Sequence, residues 1–556
     1  MPYEIPVSWK DRESFIDAIP EMTTINQPVR PASGGGSDRS ATSTGAARVP
    51  AILFPQAAGA PAVPNAEPEF FRDLNLDQIV DAITKGRESY DLKPFFYAPL
   101  TNLDQIAFRH EIMHDLENEA LFAALKAFSD GMAAMRFALD REAEFNYKYQ
   151  KERAQLGAAV HYCDAVTNLR RNFDATGARS RGLLATRDFL AQYVETPGFK
   201  TLSQQAHSAK DALDGVRYCV LINDANITVR NYDAEADYSA EVEDTFNIFK
   251  QGDVKDYRVS FNETVGINHV EAMILDFVAK LNPQPFAALD DFYTKHQSFS
   301  DRTVLEFDRG IQFYLAYAEY MASFRTAGLS FCFPQVSDSS KSVLSRSGFD
   351  LSLASKLIAT NTAPICNDFE LNGNERMLVI SGPNQGGKTT FARAFGQLHY
   401  FGALGLPVPG AEAKLYLVDR FFTHFDTEED LKNLQGKLKD DLIRMHRIFD
   451  AATPKSLVIM NEIFASTSLE DATFLGKKVL TRFTELDTLS VCVTFIDELS
   501  RLNDKIVSMM ASIVPDNPSQ RTFRIIRRPA DGLSYAIALA QKHHLTYENL
   551  KGRLTR

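Results

Sequence analysis

Hydrophobic residues recur every three or four positions through much of the chain from about Phe70 to Phe324, and that spacing predicts helices. After Pro99, Thr101 is placed to cap a helix with Asp104 in its first turn. Leu103, Ile106, Ile112, Met113 and Leu116 then form one apolar stripe. The same period runs from Leu121 to Leu139, through Val270, Met273, Ile274, Phe277, Val278 and Leu281, and from Val304 to Phe324, where Tyr314 and Tyr317 read as core residues. One interruption is β-rich. Tyr218 to Ile222 and Ile227 to Val229 flank Asn223-Asp224-Ala225-Asn226, the pattern of a hairpin.

From about Met377 the pattern changes. Met377-Leu378-Val379-Ile380, Leu457-Val458-Ile459-Met460 and Val491-Cys492-Val493-Thr494 are short continuous apolar runs separated by helical stretches. Such runs are expected in a sheet covered on both faces, so the C-terminal third reads as an α/β domain. The polar stretch from Ser337 to Ser347 is the expected boundary. Upstream of Glu69 the chain carries Pro31-Ala32-Ser33-Gly34-Gly35-Gly36 and a Pro/Ala-rich continuation, too little apolar surface to offset the entropy of ordering it. Ala51-Ile52-Leu53-Phe54 is a short apolar run within it, with the character of a docking peptide. The expected organisation is a linker-like segment over 1–69, a helical domain over 70–335 with a β-rich insertion around 216–262, and an α/β domain over 348–556.

Composition narrows the classes. The 556 residues carry 60 Lys+Arg against 72 Asp+Glu, a formal net charge of −12, which excludes a wholly basic nucleic-acid binder but not local basic patches. The five cysteines (Cys163, Cys219, Cys332, Cys366, Cys492) form no C-x-x-C pair, so neither a disulfide scaffold nor a structural zinc site is expected. No apolar run approaches the ~20 residues needed to cross a bilayer, and the N-terminus lacks the order of a signal peptide. A cytoplasmic protein without a membrane partner is expected.

The chemistry concentrates directly after the Met377 strand. Gly382-Pro383-Asn384-Gln385-Gly386-Gly387-Lys388-Thr389 has the G-x-x-x-x-G-K-[ST] spacing, followed by Thr390 and a helical stretch. The glycines let backbone N–H groups turn toward phosphate oxygens, Lys388 supplies a point charge for the β/γ-phosphates, and the Thr389 hydroxyl suits Mg²⁺. The strand ending at Asn461-Glu462 supplies the second half of such a site. Glu462 is the candidate for activating the attacking water and, with Thr389 and Asn461, for the metal. Asn461 stands where a carboxylate usually faces the hydrated cation, which weakens metal affinity and turnover.

These residues resemble the MutS family of DNA mismatch-repair ATPases. The GPNQGGKTT loop, the segment Gly405 to Ala413 with Val418 to Thr423, the Leu457 to Glu462 strand with Ala465-Ser466-Thr467-Ser468, and Arg524 through Ala540 all look like that family's ATPase region. A weaker resemblance begins at Tyr97-Ala98-Pro99-Leu100. The resemblance implies a multidomain fold: a mainly α-helical core, or lever, domain followed by a C-terminal α/β P-loop ATPase domain of the ABC type. It also implies ATP and Mg²⁺ as cofactors, a homodimer, and DNA as partner, with Gly436-Lys437 reaching the nucleotide of the other subunit. Four departures stand out. The mismatch-reading N-terminal domain has no counterpart, Asn461 replaces the family Asp, and Phe495 stands where the family has a γ-phosphate-sensing His; an adenine-stacking aromatic is also missing near Pro364-Ile365.

Two functions follow as expectations. The first is an ATP-gated DNA-binding clamp in repair or recombination with a slow ATPase. The other is a nucleotide-binding scaffold for a protein partner that never touches DNA. Arg170, Arg171, Arg179 and Arg181, with Arg187 beside them, are the candidate phosphate contacts, set against a solvated helix face paired with acids. Arg521, Arg524, Arg527 and Arg528 read as an exposed strand edge.

Overall fold

The computed structural model describes residues 3–6, 52–55, 64, 66–223, 226–233, 267–425, 436–514, 517–530, 545–547 and 550–551. The chain divides into two compact units, each assembled from separated stretches: Met1–Arg48, Ala127–Asn172 and Phe189–Arg302 in the first, and Val49–Lys126, Phe173–Asp188 and Thr303–Arg556 in the second.

The helices up to residue 326 follow in chain order: α1 (Phe70–Asp73), α2 (Leu76–Thr84), α3 (Lys93–Tyr97), α4 (Leu103–Asp115), α5 (Glu119–Glu144), α6 (Lys148–Thr176), α7 (Arg181–Tyr193), α8 (Pro197–Asp214), α9 (His269–Leu281), α10 (Pro283–Lys295) and α11 (Arg302–Thr326). The cap of α4 is Asn102 rather than Thr101: its side-chain oxygen accepts from the Asp104 amide at 2.7 Å. In the first unit β1 (Tyr3–Pro6), β2 (Tyr218–Asn223) and β3 (Asn226–Asn231) form an antiparallel sheet in the order β1-β3-β2. The expected hairpin is present, each strand running further than its apolar residues alone suggest. Val229 packs with Val278, Ala279 and Phe286 in a small core. The remainder of the expected insertion, from 234 to 262, lies outside the described residues.

The second unit holds the α/β structure. β4 (Phe331–Cys332) pairs later with β9 (Val408–Pro409). β5 (Gln335–Ser337), β6 (Val343–Gly348) and β7 (Asn367–Leu371) join β10 (Glu412–Tyr416) in the sheet β5-β10-β6-β7. The stretch 337–347, polar enough to suggest a boundary, therefore contains a strand, and its Val343 and Ser345 are buried. The main sheet comprises β8 (Met377–Ser381), β11 (Phe421–His424), β12 (Leu457–Asn461), β13 (Leu489–Val493), β14 (Ile506–Val514) and β15 (Asn517–Arg527), in the order β11-β12-β13-β8-β14-β15. All neighbours are parallel except β15, which runs antiparallel at the edge.

Helices α12 (Leu351–Ala359), α13 (Lys388–Ala403), α14 (Lys437–Ala451) and α15 (Leu469–Glu485) complete the unit. Met377, Val379, Val458, Met460 and Cys492 pack with Met445, Ile448, Leu480 and Phe483 in one core. The strands β8, β12 and β13 are buried on both faces, which is why they read as unbroken apolar runs. Strand β8 lies between β13 and β14, two strands that follow it far along the chain. The chain order thus switches direction at β8, and a crevice is expected at its carboxyl end.

Candidate functional site

At that carboxyl end the chain turns through residues 382–387 into α13. Gly382, Gln385 and Gly387 have φ of 114°, 58° and 86°, values that favour glycine and tolerate few other residues. Gly386 is required for a different reason. A Cβ there would meet the Ala511 Cβ at 2.9 Å and the Pro383 carbonyl at 3.0 Å, so the loop closes against β14 only without a side chain. Helix α13 then starts at Lys388 without a side-chain cap, leaving its first amides open toward the loop. Its other faces are held by Phe395, Leu398, Tyr400 and Phe401, all fully buried.

Lys388 is 5% exposed and its ammonium is folded into the loop. It donates to the carbonyls of Gly382 at 2.7 Å and Pro383 at 3.3 Å, and lies 4.4 Å from the centroid of the Phe495 ring. Burial lowers its pKa, opposed by the Glu462 carboxylate. The next residue, Thr389, donates its hydroxyl to the Asn461 amide oxygen at 2.9 Å, across from α13 to the end of β12. Glu462 follows with φ of 56°, its amide donating to the Val493 carbonyl of β13 at 2.9 Å. That bond extends the β12–β13 ladder by one residue, the positive φ turns the chain there, and Glu462 enters the lining of the crevice.

A cavity of about 730 Å³ opens over this loop. Residues 384–390, Glu462 and Phe495 line this chamber together with the mainly apolar Leu353, Leu357, Thr362, Ala363, Ile365, Phe391 and Phe523. Of the residues singled out from sequence, Asn384, Gln385, Gly386, Gly387, Lys388, Thr389, Thr390 and Glu462 face the cavity. Gly382 and Pro383 lie behind it as carbonyl acceptors for Lys388, and Asn461 reaches it through Thr389. Sequence reading missed Phe523, which sits among arginines on β15. Its carbonyl accepts from Asn367 Nδ2 at 3.1 Å, while Asn367 Oδ1 accepts from the Ile525 amide at 2.7 Å. The chamber thus has an aromatic wall, supplied from the far edge of the sheet rather than from near Ile365.

The donor set suits a hard cation. Thr389 Oγ1 and Asn461 Oδ1 are neutral oxygens 2.9 Å apart, about the separation of neighbouring ligands around an octahedral Mg²⁺ with bonds of ~2.1 Å. Neither carries charge, so the pair fits a cation that arrives with phosphate ligands better than one held by the protein alone. Among the described residues no group of three or more His, Cys, Asp or Glu is placed to hold a metal ion.

The arginine candidates separate. Arg170 and Arg171 belong to the first unit, Arg179 and Arg181 to the second. Arg181 does not present a free guanidinium: it donates to Asp104 at 2.7 Å and Glu111 at 2.9 Å and stacks over Phe108. Two carboxylates within reach neutralise it locally, a pairing that linear sequence conceals because the acids lie some seventy residues upstream. Arg187 is paired with Asp188 at 2.7 Å. Arg171 and Arg179 are exposed. All five cysteines are free thiols, and among the described residues no helix is long and apolar enough to cross a membrane.

A glycine loop between a buried strand and a buried helix, with polar residues on the adjoining strand end, defines an α/β domain with a ligand site at the carboxyl edge of its sheet. Residues 378–549 match the family model for MutS domain V. The chain carries a region similar to that domain, and the matched stretch holds the loop, Asn461, Glu462 and Phe495. The chain is also 30% identical over 179 residues to a protein named DNA mismatch repair protein MutS from Shouchella clausii. That match covers 32% of this chain and 21% of the relative, so the similarity spans about a fifth of that protein's length.

Proposed function

We propose that the chain binds ATP with Mg²⁺ at the loop between β8 and α13, hydrolyses it slowly, and works as a dimeric ATP-gated DNA-binding clamp in DNA repair or recombination. The observation that carries the reading is the placement of Lys388 and Thr389, at the head of a buried helix, opposite Asn461 and Glu462. In this reading the loop amides hold the phosphate oxygens and Lys388 exchanges its two carbonyl acceptors for the β- and γ-phosphates. Thr389 and Asn461 hold the cation, and Glu462 orients a water and accepts its proton. Mg²⁺ supplies neutralisation of charge on the phosphate oxygens. Turnover is slow because Asn461 is uncharged and Phe495 offers no hydrogen bond to a transferring phosphoryl group.

The homodimer draws support from the same unit. Gly436, Leu438, Lys439, Leu442 and Ser466 line a second cavity of about 430 Å³, and Leu442, Ile443, Leu469 and Phe474 are exposed apolar residues. The relative's name carries the DNA part of the proposal.

The test is titration of a fluorescent ATP analogue and a phosphate-release assay. Lys388→Ala is expected to lose binding; Glu462→Gln is expected to bind ATP and leave it intact. Brisk turnover by the unaltered chain would falsify the slow-switch form of the reading. The pairing of Arg181 with Asp104 and Glu111 favours a second reading, a nucleotide-binding scaffold without DNA contact. Binding to duplex, branched and single-stranded DNA across a salt series separates the two, since phosphate contacts make affinity fall with salt.

A further inference from the structure

Ile52, Leu53 and Phe54 lie in the Pro/Ala/Gly-rich sequence before residue 69, yet they are only 2%, 4% and 6% exposed. This departs from the expectation that nothing upstream of Glu69 joins a core. Their seat is built for them. A Cβ at Gly310 of α11 would come within 2.4 Å of the Ile52 side chain, and one at Gly182 of α7 within 2.9 Å, so both positions are hollowed to admit it. The seat also reads main chain. The Tyr314 hydroxyl donates to the Ile52 carbonyl at 2.9 Å, and Arg109 Nε donates to the Leu53 carbonyl at 3.1 Å.

Arg109, on α4, is wholly buried, and no carboxylate among the described residues pairs with it. Its guanidinium lies 5.0 Å from the Phe54 ring and 4.8 Å from the Phe313 ring. Nη2 is buried without an acceptor. Nη1 donates at 2.7 Å to the carbonyl of Leu404, the residue that caps the C-terminal end of α13. The charge on Arg109 is therefore shared between the 52–54 segment and the far end of the helix that begins at Lys388.

We propose that residues 52–54 are a tethered apolar peptide that docks reversibly in this groove, and that Arg109 couples its docking to the C-terminal end of α13. Residues 52–54 form a turn, and the groove holds it both by apolar contact and by hydrogen bonds to its carbonyls. Only three residues are seated there and no helix or strand of their own holds them, so the segment opens more easily than the helices beneath it. Its departure strips Arg109 of an acceptor while one of its donors already lacks one, and a buried guanidinium in that state must shift. Gly405 packs directly on Arg109, where a Cβ would come within 2.9 Å, so the shift is felt at the helix end. Docking stands apart from the nucleotide reading; its consequence for the loop at the other end of α13 rests on it.

Hydrogen–deuterium exchange of the full chain reads the docking. Amides of 52–54 are expected to exchange about tenfold or more faster than those of α11 in the seat; equal protection would make the segment a fixed part of the core and overturn the proposal. Ile52→Asp is expected to undock the segment, after which a fluorescein-labelled peptide of residues 49–57 (VPAILFPQA) binds the variant but not the unaltered chain. Adding Gly310→Leu fills the seat and abolishes capture. A folded Ile52→Asp chain that captures no peptide overturns the proposal, and if that variant does not fold, exchange on the unaltered chain decides. Amides 400–404 are expected to lose protection in Ile52→Asp; unchanged protection there refutes the coupling.

Discussion

The Thr389 hydroxyl donates to the Asn461 amide oxygen at 2.9 Å, joining the head of α13 to the end of β12 through a neutral contact. A carboxylate in place of that amide would accept a charge-assisted hydrogen bond and face the cation with a full negative charge. Asn461→Asp is therefore expected to raise turnover about tenfold, ~1.4 kcal/mol, and to lower the Mg²⁺ concentration giving half-maximal rate. Steady-state phosphate release across a Mg²⁺ series checks it; an unchanged profile means that the amide is not what limits the site.

Phe495 caps Lys388 at 4.4 Å, and in the proposed nucleotide-binding role phosphate competes with that contact. A cation–π pair whose ring is open to solvent, as Phe495 is, is worth roughly 0.5–1 kcal/mol. Phe495→Ala is accordingly expected to tighten nucleotide binding by about twofold to fivefold, read by titration with a fluorescent ATP analogue. Weaker binding would show the ring to be a contact for the nucleotide instead.

Gly386 faces the Ala511 Cβ at 2.9 Å across to β14. Gly386→Ala is expected to abolish nucleotide binding by forcing the loop off the strand. Ala511→Gly removes one of the two close contacts and leaves the Pro383 carbonyl, so the double variant is expected to recover part of the affinity. No recovery at all places the whole defect at Pro383.

Three histidines set an acid limit on stability, His399 and His424 buried and His110 half-buried. Burial lowers the pKa of His110, His399 and His424 to about 4, with His114 adding to the effect on the first and Arg444 on the last. In the unfolded chain the same groups take up protons near the ordinary value of about 6.5. The unfolded state thus binds more protons between those limits. The stability these residues contribute is complete above pH ~6.5 and is lost progressively toward pH 4, at up to ~1.4 kcal/mol per unit for each. Urea midpoints measured from pH 7.5 to 4.5 are expected to fall steeply below 6.5, and less steeply in His424→Asn; a flat profile down to pH 5 contradicts the prediction.

The hydrophobic pattern and one short motif determined a good deal here. Strands β8, β12 and β13 were legible because burial on both faces removes any need for polar residues along them. The loop between β8 and α13 was legible because a backbone that turns this tightly against β14 needs glycine at fixed offsets. Long-range pairing left no such trace. The segment 52–54 sits in a sequence too poor in apolar residues to predict a core, and only hollows at Gly182 and Gly310 make it one. The engagement of Arg181 by Asp104 and Glu111, and the arrival of Phe523 beside the loop, join residues about seventy or more positions apart. Periodicity reports which face of an element is dry; which distant element covers that face is decided by packing, and packing exists only once the chain has folded.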